Sequence, residues 1–489
     1  MNIKVYPNIC RVDGTYNELV WLRELLTIKV PGAQFTKIFQ RRQWDGKKRL
    51  FNTISKVFAA GLLDYVLRNK DTQNIIVEDM REFNALEKSY GKIDYEIPKL
   101  NIELRDYQKQ AIIDCLKYKN CIIEAATNAG KTVIFSGVIR KLYPLPTLIL
   151  IHREEILKQI KDMVEKNTGL EVGIITSKDV LIKPVTVAMV TTLANRIGVD
   201  QEITDFFDNT KCVIVDETHH AKASTISNLL SACKAVYRFG FSGTVADEDT
   251  YDGMLIRQHI GSVVFKISND QLITSGVSAK PKIFIYEIDS SDILSGVFTQ
   301  AKEELLAKYG DKVTNTMLMK RVYTLSVQKG IVENKERNSK AIEIIHNIHN
   351  IHNNQNKSIL IVVDLLEHGR IVEKLLIDNG IESVFISGES ETRDFGLSDF
   401  KEGKLKVLIS TNIVDEGLDI SRIECLILLA GKKSRRQLLQ RIGRSLRRKE
   451  GENVVKIYDF MDYGSLHLEK HSRQRIAIYK QEKFELEFV

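Results

Sequence analysis

The feature that most constrains the fold is a repeated alternation between short apolar runs and helical stretches, which begins near residue 120 and returns near residue 358. The apolar runs have the length of strands and occupy residues 121–125, 147–151, 185–190, 212–215 and 237–241, then 358–363, 383–386, 406–410 and 424–429. Such alternation is typical of parallel sheets covered by helices, so the pattern predicts two α/β domains in tandem. Functional sites in these domains collect at the carboxyl ends of the strands.

The 489-residue chain divides into four predicted segments. Residues 1–96 combine short strand-like runs with one helical stretch, and we expect a small α+β domain in which Asp45-Gly46 makes a hairpin turn. Residues 97–280 and 281–462 form the two α/β domains, and the second contains a helical insertion at about 291–340. Residues 463–489 are charged and predict a C-terminal helical tail.

Composition argues against several classes of protein. No window approaches the ~18 consecutive apolar residues that a membrane span needs, and the N-terminus lacks the basic and apolar regions of a secretory signal. The six cysteines are scattered and form no CxxC pair, which argues against a zinc ribbon or a redox motif. We therefore expect a cytoplasmic protein.

Positive charge is clustered along the chain. The formal net charge is only +7, but residues 432–449 contain nine basic residues and no acid, and residues 37–49 contain six basic residues and one acid. Local stripes of this kind suit partners rich in phosphate. A solvated surface with no partner is the alternative interpretation.

The first chemical motif is a strand that runs into a loop of small residues and then into Gly130-Lys131-Thr132. This order predicts a phosphate-binding loop in which backbone amides surround the phosphates, Lys131 reaches the β and γ groups, and the Thr132 hydroxyl binds Mg²⁺. The loop residues are Ala126, Thr127, Asn128, Ala129 and Gly130. Ala125 stands where the general pattern has a first glycine, so a plain strand–turn–helix remains the alternative.

The second motif is Asp216-Glu217, at the end of the apolar run 212–215. Beside a bound triphosphate, the first acid would hold Mg²⁺ and the second would orient and deprotonate the attacking water. Two exposed acids at a strand end are the alternative.

The third motif is a basic helix over 440–447, in which Arg441, Arg444 and Arg447 share a face. The planar guanidinium group suits a γ-phosphate, so we expect Arg444 and Arg447 to act in catalysis. A basic helix that contacts nucleic acid or solvent is the alternative.

The ordered set of motifs resembles that of the superfamily 2 helicases. The matching segments are 104–108, 125–132, 148–153, 190–192, 216–219, 242–244, 410–419 and 440–447. The resemblance implies two RecA-like parallel-sheet domains in tandem and a DExH-type ATP hydrolase that uses ATP and Mg²⁺.

The resemblance also implies roles for single residues, in three groups. Further nucleotide contacts would be Arg105, Gln108, Gly417 and Asp419, with Gln108 on the adenine. Residues that couple the nucleotide state to DNA would be His219, Ser242, Thr244 and Gln440. DNA contacts of the two α/β domains would be Arg153, Thr191, Thr192 and Thr411. Packing of His219 at a strand end and an ordinary turn at 242–244 are the alternatives for those positions.

Within the superfamily, the segment 39–50 resembles the Trp-Asp-Gly signature of the small N-terminal DNA-binding domain in UvsW-type helicases of tailed phages. By this resemblance Arg41, Arg42, Lys47 and Lys48 would grip duplex DNA. The alternative is that Trp44 is a core anchor beside a turn and that the basic residues are only solvated.

Taken as a UvsW-type protein, the chain would be an ATP-dependent DNA helicase or translocase with 3′-to-5′ polarity. It would act in branch migration and fork regression during phage replication, recombination or repair. Its partners would be single-stranded and branched DNA, with a single-stranded-DNA-binding protein as a candidate and no membrane. We expect a monomer in the host cytoplasm.

Three alternatives remain open at this stage. They are a duplex-translocating motor subunit of a restriction-type system, an RNA helicase, and an ATP-gated nucleic-acid-binding protein with a degenerate catalytic set.

Overall fold

A computed structural model describes residues 1–70, 74–91, 94–351, 357–387, 393–411, 423–431, 435–446 and 453–489. The chain forms two compact units, Met1–Ile267 and Ser268–Val489. Each unit contains one large sheet of parallel strands, as the alternation of apolar runs predicts. In the described ranges, no helix is both long and apolar enough to span a bilayer.

The N-terminal part of the first unit is a small α+β arrangement. Its elements are β1 (Asn2–Val5), β2 (Ile9–Asp13), α1 (Tyr16–Leu25), β3 (Thr27–Lys29), α2 (Lys37–Gln40), β4 (Lys47–Arg49), β5 (Phe51–Asn52), β6 (Val57–Ala59), α3 (Leu63–Arg68), β7 (Ile76–Asp79) and α4 (Phe83–Tyr90). Five strands form a sheet in the order β5-β6-β2-β1-β7. Helix α1 begins with a reciprocal capping box between Thr15 and Glu18, which explains its start.

The predicted hairpin turn at Asp45-Gly46 is wrong in detail. Strands β3 and β4 do pair in antiparallel register, with Lys29 opposite Lys47. They are joined by the whole of residues 30–46, which include a 3₁₀ turn and helix α2, and Gly46 only closes this excursion with φ of +72°. The Asp-Gly pair therefore marks the return of the chain into β4, a position where glycine's conformational freedom is also needed.

The rest of the first unit is an α/β domain. Its elements are α5 (Asp106–Tyr118), β8 (Asn120–Ala125), α6 (Lys131–Leu142), β9 (Thr147–Ile151), α7 (Glu154–Thr168), β10 (Val172–Ile175), β11 (Val180–Leu181), β12 (Val185–Met189), α8 (Val190–Arg196), α9 (Gln201–Asn209), β13 (Cys212–Asp216), α10 (Ser224–Ala232), β14 (Tyr237–Ser242), α11 (Tyr251–Ile260) and β15 (Ser262–Ile267). The strand order is β11-β10-β12-β9-β13-β14-β8-β15, and only β11 runs antiparallel. Strands such as β9 are buried along their full length because helices cover both faces.

The small N-terminal arrangement is fastened to this α/β domain. Gly61 lies so close to α11 that a Cβ atom there would be 2.1 Å from the carbonyl oxygen of Arg257. Arg68 makes a two-pronged ion pair with Glu248, at 3.0 and 2.8 Å, and the Tyr65 hydroxyl donates to Asp249 at 3.1 Å. Backbone contact and ion pairs thus hold both parts in one unit.

The second unit contains the second α/β domain. Its elements are α12 (Asn269–Thr274), β16 (Lys280–Asp289), α13 (Ser291–Leu294), α14 (Val297–Tyr309), α15 (Asn315–Val327), α16 (Lys335–Ile351), β17 (Ile359–Val362), α17 (Leu366–Asp378), β18 (Ser383–Ile386), α18 (Arg393–Glu402), β19 (Val407–Ser410), β20 (Cys425–Leu428), α19 (Arg435–Ser445), β21 (Val454–Tyr463), α20 (Leu466–Gln481) and β22 (Glu485–Phe488). The seven strands are all parallel, in the order β18-β19-β17-β20-β21-β16-β22. Helices α13–α16 supply the helical stretch predicted to begin at about residue 291.

The prediction that residues 463–489 form a helical tail is only partly right. Helix α20 packs on β21, but the segment after it forms strand β22, which pairs in parallel with β16 at the sheet edge. Three of the four residues of β22 are exposed, so the segment lacks the apolar run that marks the buried strands.

Candidate active site

The predicted catalytic motifs of the first unit meet at the carboxyl ends of three neighbouring strands, β13, β14 and β8. Asp216 is the last residue of β13, Ser242 the last of β14, and the phosphate-binding loop leaves the end of β8. Residues far apart in sequence therefore lie along about 10 Å of one sheet edge, since adjacent strands are roughly 5 Å apart.

The loop after β8 has the form that a phosphate site requires. Helix α6 begins at Lys131 after Gly130, whose φ of +78° is left-handed, and Asn128 has a φ of +73°. The amide of Ala126 donates to Ile267 O at 3.0 Å, which ties the loop to β15. Ala126 and Ala129 are buried, whereas Thr127, Asn128, Gly130, Lys131 and Thr132 are partly exposed. The N-terminus of a twelve-residue helix thus faces accessible space, which favours an anion.

The start of α5 supports this loop from below. Gln108 is buried, its Nε2 donates to Ala129 O at 3.0 Å, and its Oε1 accepts from the amide of Arg105 at 3.0 Å. The Tyr107 hydroxyl also donates to Ala129 O, at 3.0 Å, and Arg105 Nη1 donates to that hydroxyl at 3.1 Å. Arg105 and Gln108 therefore lie beside the loop, as expected for nucleotide contacts, and Tyr107 is a loop-supporting residue that the motif did not reveal.

Opposite charges meet where the loop faces the acid pair. Lys131 Nζ lies 3.7 Å from Glu217 Oε1. Burial works against ionisation of Glu217, but Lys131 and His219 outweigh it and hold the pKa of Glu217 at about 2. Burial, with the neighbouring charge of Glu217, raises the pKa of Asp216 to about 7. Glu217 is therefore a carboxylate at neutral pH, while the charge on Asp216 is costly until a cation lies beside it.

Glu217 is held by two of the residues predicted to couple the nucleotide state to DNA. His219 Nδ1 lies 3.3 Å from Glu217 Oε2 and 3.2 Å from Ser242 Oγ. Ser242 Oγ also lies 3.4 Å from Glu217 Oε2 and 3.0 Å from Thr244 O, so its single hydroxyl proton can be donated to either acceptor. Thr244 thus takes part through its backbone carbonyl. The strand end of β14 and the acid pair after β13 form one hydrogen-bonded group.

The predicted Mg²⁺ ligands fit a site completed by phosphates. Within the described ranges, no group of three or more His, Cys, Asp or Glu side chains could hold a metal ion by itself. Mg²⁺ is commonly held by one or two protein oxygens together with water and substrate phosphates. Thr132 in the first turn of α6 and Asp216 at the end of β13 offer a hydroxyl and a carboxylate for that role.

Two further features of the site were not predicted from the sequence. The rings of His152 and His220 lie 4.2 Å apart, as do those of His220 and His219, so three imidazoles connect the end of β9 with Glu217. Thr218 is buried, and its hydroxyl donates to Phe241 O at 3.1 Å, which pins the acid pair to β14. Of these residues, only the consecutive histidines His219 and His220 after the acid pair could be recognised in the sequence.

The predicted DNA contacts of the first α/β domain lie on the same sheet edge. Arg153 follows β9 at the start of α7, and Thr191 and Thr192 lie in the first turn of α8, directly after β12. In the strand order, β12 adjoins β9 and β9 adjoins β13, so this half of the edge continues into the half that carries the acids. Thr191 is exposed and the other two are partly exposed.

The predicted residues elsewhere fall into three groups. Arg41, Arg42, Lys47 and Lys48 are exposed on and beside the β3–β4 ribbon. Thr411 follows β19 in the second unit and is only 9% exposed, which leaves little of it free for a phosphate. Gly417, Asp419, Arg447 and the side chains of Gln440 and Arg444 lie outside the described residues, although Gln440 and Arg444 belong to α19.

Helix α19 also carries Arg441, which has a structural position. Arg441 is 5% exposed, and its Nη2 donates to Asp364 Oδ1 at 3.1 Å, while the amide of Gly431 donates to Asp364 Oδ2 at 3.1 Å. The first arginine of the predicted arginine face is thus used to anchor the helix to the strand end after β17.

Comparison with known proteins agrees with this geometry. Residues 101–247 match the family model described as the type III restriction enzyme res subunit, and residues 339–449 match the helicase conserved C-terminal domain. The uvsW ATP-dependent DNA helicase of Enterobacteria phage T4 is 22% identical over 99% of this chain and 98% of its own length. IRC3 of Saccharomyces cerevisiae, named as an ATP-dependent helicase, is 28% identical over 74% of this chain, which spans 52% of that protein.

A solved structure supports the fold. The helicase domain of Hef from Pyrococcus furiosus superposes with a TM-score of 0.53 at 16% identity, over 78% of this chain and 98% of that one. The two parallel-sheet units, the lysine loop and the acid pair on either side of β14, the res-subunit model matched in the first half and the helicase model matched in the second all agree with the helicase relatives. The chain therefore belongs to the ATP-dependent helicases of superfamily 2.

Proposed function

We propose that the protein is an ATP-dependent DNA helicase or translocase that remodels branched DNA. The observation that carries the proposal is the convergence of Lys131, Asp216 and Glu217, with His219 and Ser242 attached, on one sheet edge. Full-length similarity to the T4 uvsW DNA helicase, and an exposed basic ribbon in the N-terminal part, support DNA as the substrate.

The predicted nucleotide-site residues of the first unit each have a role in ATP hydrolysis under this proposal. The loop 126–130 and Lys131 bind the phosphates, and Gln108 and Arg105 hold the base end. Thr132 and Asp216 hold Mg²⁺, which neutralises phosphate charge when bound. Glu217, ionised and oriented by His219 and Ser242, accepts a proton from the attacking water.

The second unit completes the site in this proposal. Arg444 and Arg447 would contact the γ-phosphate, with Gly417 and Asp419 beside the nucleotide and Gln440 coupling to it. Closure of the two units around ATP and opening after hydrolysis would drive movement along DNA. Arg153, Thr191 and Thr192 would hold the strand through its phosphates, which positions DNA without reading its sequence, whereas the largely buried Thr411 would contribute little.

The decisive variant is Lys131→Ala. We expect it to abolish DNA-stimulated ATP hydrolysis and to leave most DNA binding intact, because Lys131 faces the phosphate site. The exposed lysine Lys117 on α5 supplies a matched control, and Lys117→Ala should retain activity. ATPase and binding assays on single-stranded, duplex, forked and four-way DNA make the comparison. DNA-stimulated hydrolysis by Lys131→Ala would contradict the assigned site.

The same panel tests the finer proposals. Wild-type protein should unwind forks and move four-way junctions in an ATP-dependent way, and partial duplexes with 3′ or 5′ tails should reveal 3′-to-5′ polarity. Under this proposal, the natural substrates would be branched replication or repair intermediates in the cytoplasm. Strong stimulation by RNA and none by fork DNA would favour an RNA helicase instead.

A duplex-translocating motor of a restriction-type system is the second candidate. The match of residues 101–247 to the res-subunit model favours it. Such a motor displaces a third strand from linear duplex DNA without opening a fork. Triplex displacement without strand separation on forks would therefore favour this candidate over the first.

A further inference from the structure

Residues 27–49 form a basic ribbon that consists of two paired strands and a folded tip. Strands β3 and β4 are its base, and residues 30–46 form its tip, which contains a 3₁₀ turn (Ala33–Phe35) and helix α2. The amide of Val30 donates to Gly46 O at 2.8 Å and thereby closes the tip.

The tip is held by its own interior contacts. The Phe39 ring and Ala33 pack on Gly46, where a Cβ atom would lie 2.9 Å from the ring and 3.1 Å from Ala33 Cβ. The Trp44 indole donates to Lys47 O at 2.9 Å, and the amide of Gln43 donates to Ile38 O at 3.0 Å. The interior packing of the tip therefore involves Phe39, Ala33 and Gly46.

Two large apolar side chains of the tip lie outside this packing. Phe35 is 79% exposed and Ile38 is 53% exposed. They lie three residues apart, one at the end of the 3₁₀ turn and one in α2. Since the backbone around them is fixed, an incoming partner meets an apolar surface that is already positioned.

The ribbon that carries this apolar pair is also rich in exposed positive charge. The ribbon contains seven basic residues, all exposed, which are Lys29, Lys37, Arg41, Arg42, Lys47, Lys48 and Arg49. Its one acid, Asp45, is paired with Arg49. A partner that suits this surface is apolar at the centre and anionic around it. A base pair flanked by its phosphates has this character.

We propose that Phe35 and Ile38 pack on the base pair that terminates a duplex arm at a DNA branch, while the surrounding cations hold its phosphates. The inference deepens the proposed function and rests on it for the choice of DNA. Apolar side chains enter a continuous duplex only by unstacking a base step. At a branch the last base pair is already uncovered, so the rigid tip gains contact at a lower cost and selects branches.

The test uses the full chain without ATP, so that binding is separated from motor activity. Equilibrium binding is measured to a four-way junction and to a linear duplex of equal length, with 2-aminopurine at the branch or at the matching internal position. Phe35→Ala should weaken junction binding about tenfold and remove most of the 2-aminopurine response, with linear duplex binding unchanged. Ile38→Ala should act in the same direction, and Phe35→Trp should restore both signals.

A matched control separates the apolar pair from exposed side chains in general. Ile54 is 94% exposed in the same N-terminal part, so Ile54→Ala should behave like wild type. Lys47→Ala should weaken binding to both DNAs and reduce its salt dependence. If Phe35→Ala binds the junction as tightly as wild type, the proposal is wrong. It is also wrong if the only interaction that the variant loses is one with another protein. If the wild-type protein does not remodel forks, the proposed function is wrong. The binding experiment still tests the apolar pair, because it does not depend on fork remodelling.

Discussion

At the scale of single residues, Glu217 stands out because its backbone is left-handed, with φ of +51°. A residue with a side chain pays about 1 kcal/mol or more for this conformation. Lys131 at 3.7 Å and His219 at 3.3 Å hold the carboxylate in place. The strain is therefore maintained at the point where the attacking water would be oriented.

Ser242→Ala tests this arrangement. Loss of the hydroxyl should leave Glu217 less well oriented, so we expect kcat for ATP to fall by about tenfold to a hundredfold, while KM for ATP changes little. Steady-state ATPase kinetics in saturating DNA measure both constants, and the exposed serine in Ser231→Ala supplies a control. A rise in KM with kcat unchanged would mean that Ser242 acts on nucleotide binding instead.

The sequence located the charged residues of this site better than the residues that support them. Lys131, Asp216 and Glu217 follow from residue type and order, because each chemical step demands one kind of side chain. Tyr107 and Thr218 act through single hydrogen bonds to backbone carbonyls across the sheet edge, and such partners depend on which strands become neighbours. Local spacing carries no information about them.

At the scale of elements, helix α19 carries one arginine that anchors it and another for which we propose a catalytic role. Arg441 is buried against Asp364, whereas Arg444, one turn further on, is proposed to reach the nucleotide. Under this proposal, the same basic face is divided between holding the helix and contacting the nucleotide.

Two substitutions on α19 separate these roles. Arg441→Ala removes the buried guanidinium that binds the partly buried carboxylate of Asp364, so the free energy of unfolding should fall by about 3 kcal/mol. Arg444→Ala should keep stability and ATP binding and should lower kcat by about two orders of magnitude or more. Urea unfolding and ATPase assays on both variants give the comparison. Equal destabilisation by the two changes would show that the division is wrong.

Elements with strong local signals were predicted well, and those defined by their neighbours were not. The buried strands β9, β13, β17 and β20 each contain a run of four apolar residues, which identifies them in the sequence. Strand β22 is mostly exposed and becomes a strand only by pairing with β16. Asp45-Gly46 has the composition of a tight turn, yet the interior of the ribbon tip uses Gly46 to admit Phe39.

At the scale of the whole molecule, each unit contains a buried histidine that is kept neutral. Burial, with the charges of Arg238 and Lys48, lowers the pKa of His259 from 6.5 to about 4. Burial, with the charge of Arg337, lowers the pKa of His368 to about 3. An unfolded chain would protonate both rings near pH 6.5, so the stability they contribute is fully present above that pH and is lost as the pH falls towards 4.

Unfolding measured between pH 7 and pH 4 should show this loss. The contribution of His259 alone amounts to roughly 3 kcal/mol at pH 4. His259→Gln has no group that titrates in this range, so its stability should depend less steeply on pH even if it is lower overall. Denaturant titrations at several pH values measure the slope. Equal slopes for variant and wild type would exclude His259 as a source of acid sensitivity.

The tandem arrangement itself was predictable because strand–helix alternation recurs twice along the chain. The union of the N-terminal strands with the first α/β domain was not predictable. It depends on Gly61 meeting the backbone at Arg257 and on Arg68 meeting Glu248, contacts about 180 to 196 positions apart that leave no periodic trace.

That backbone-to-backbone seating at Gly61 has a mechanical consequence. Because close backbone contact, ion pairs and the buried side chain of Met254 all hold this joint, we expect the two parts of the first unit to move as one body during ATP turnover. The distance between fluorophores placed at the exposed positions Ile54 and Val199 should therefore stay constant through every ATP turnover.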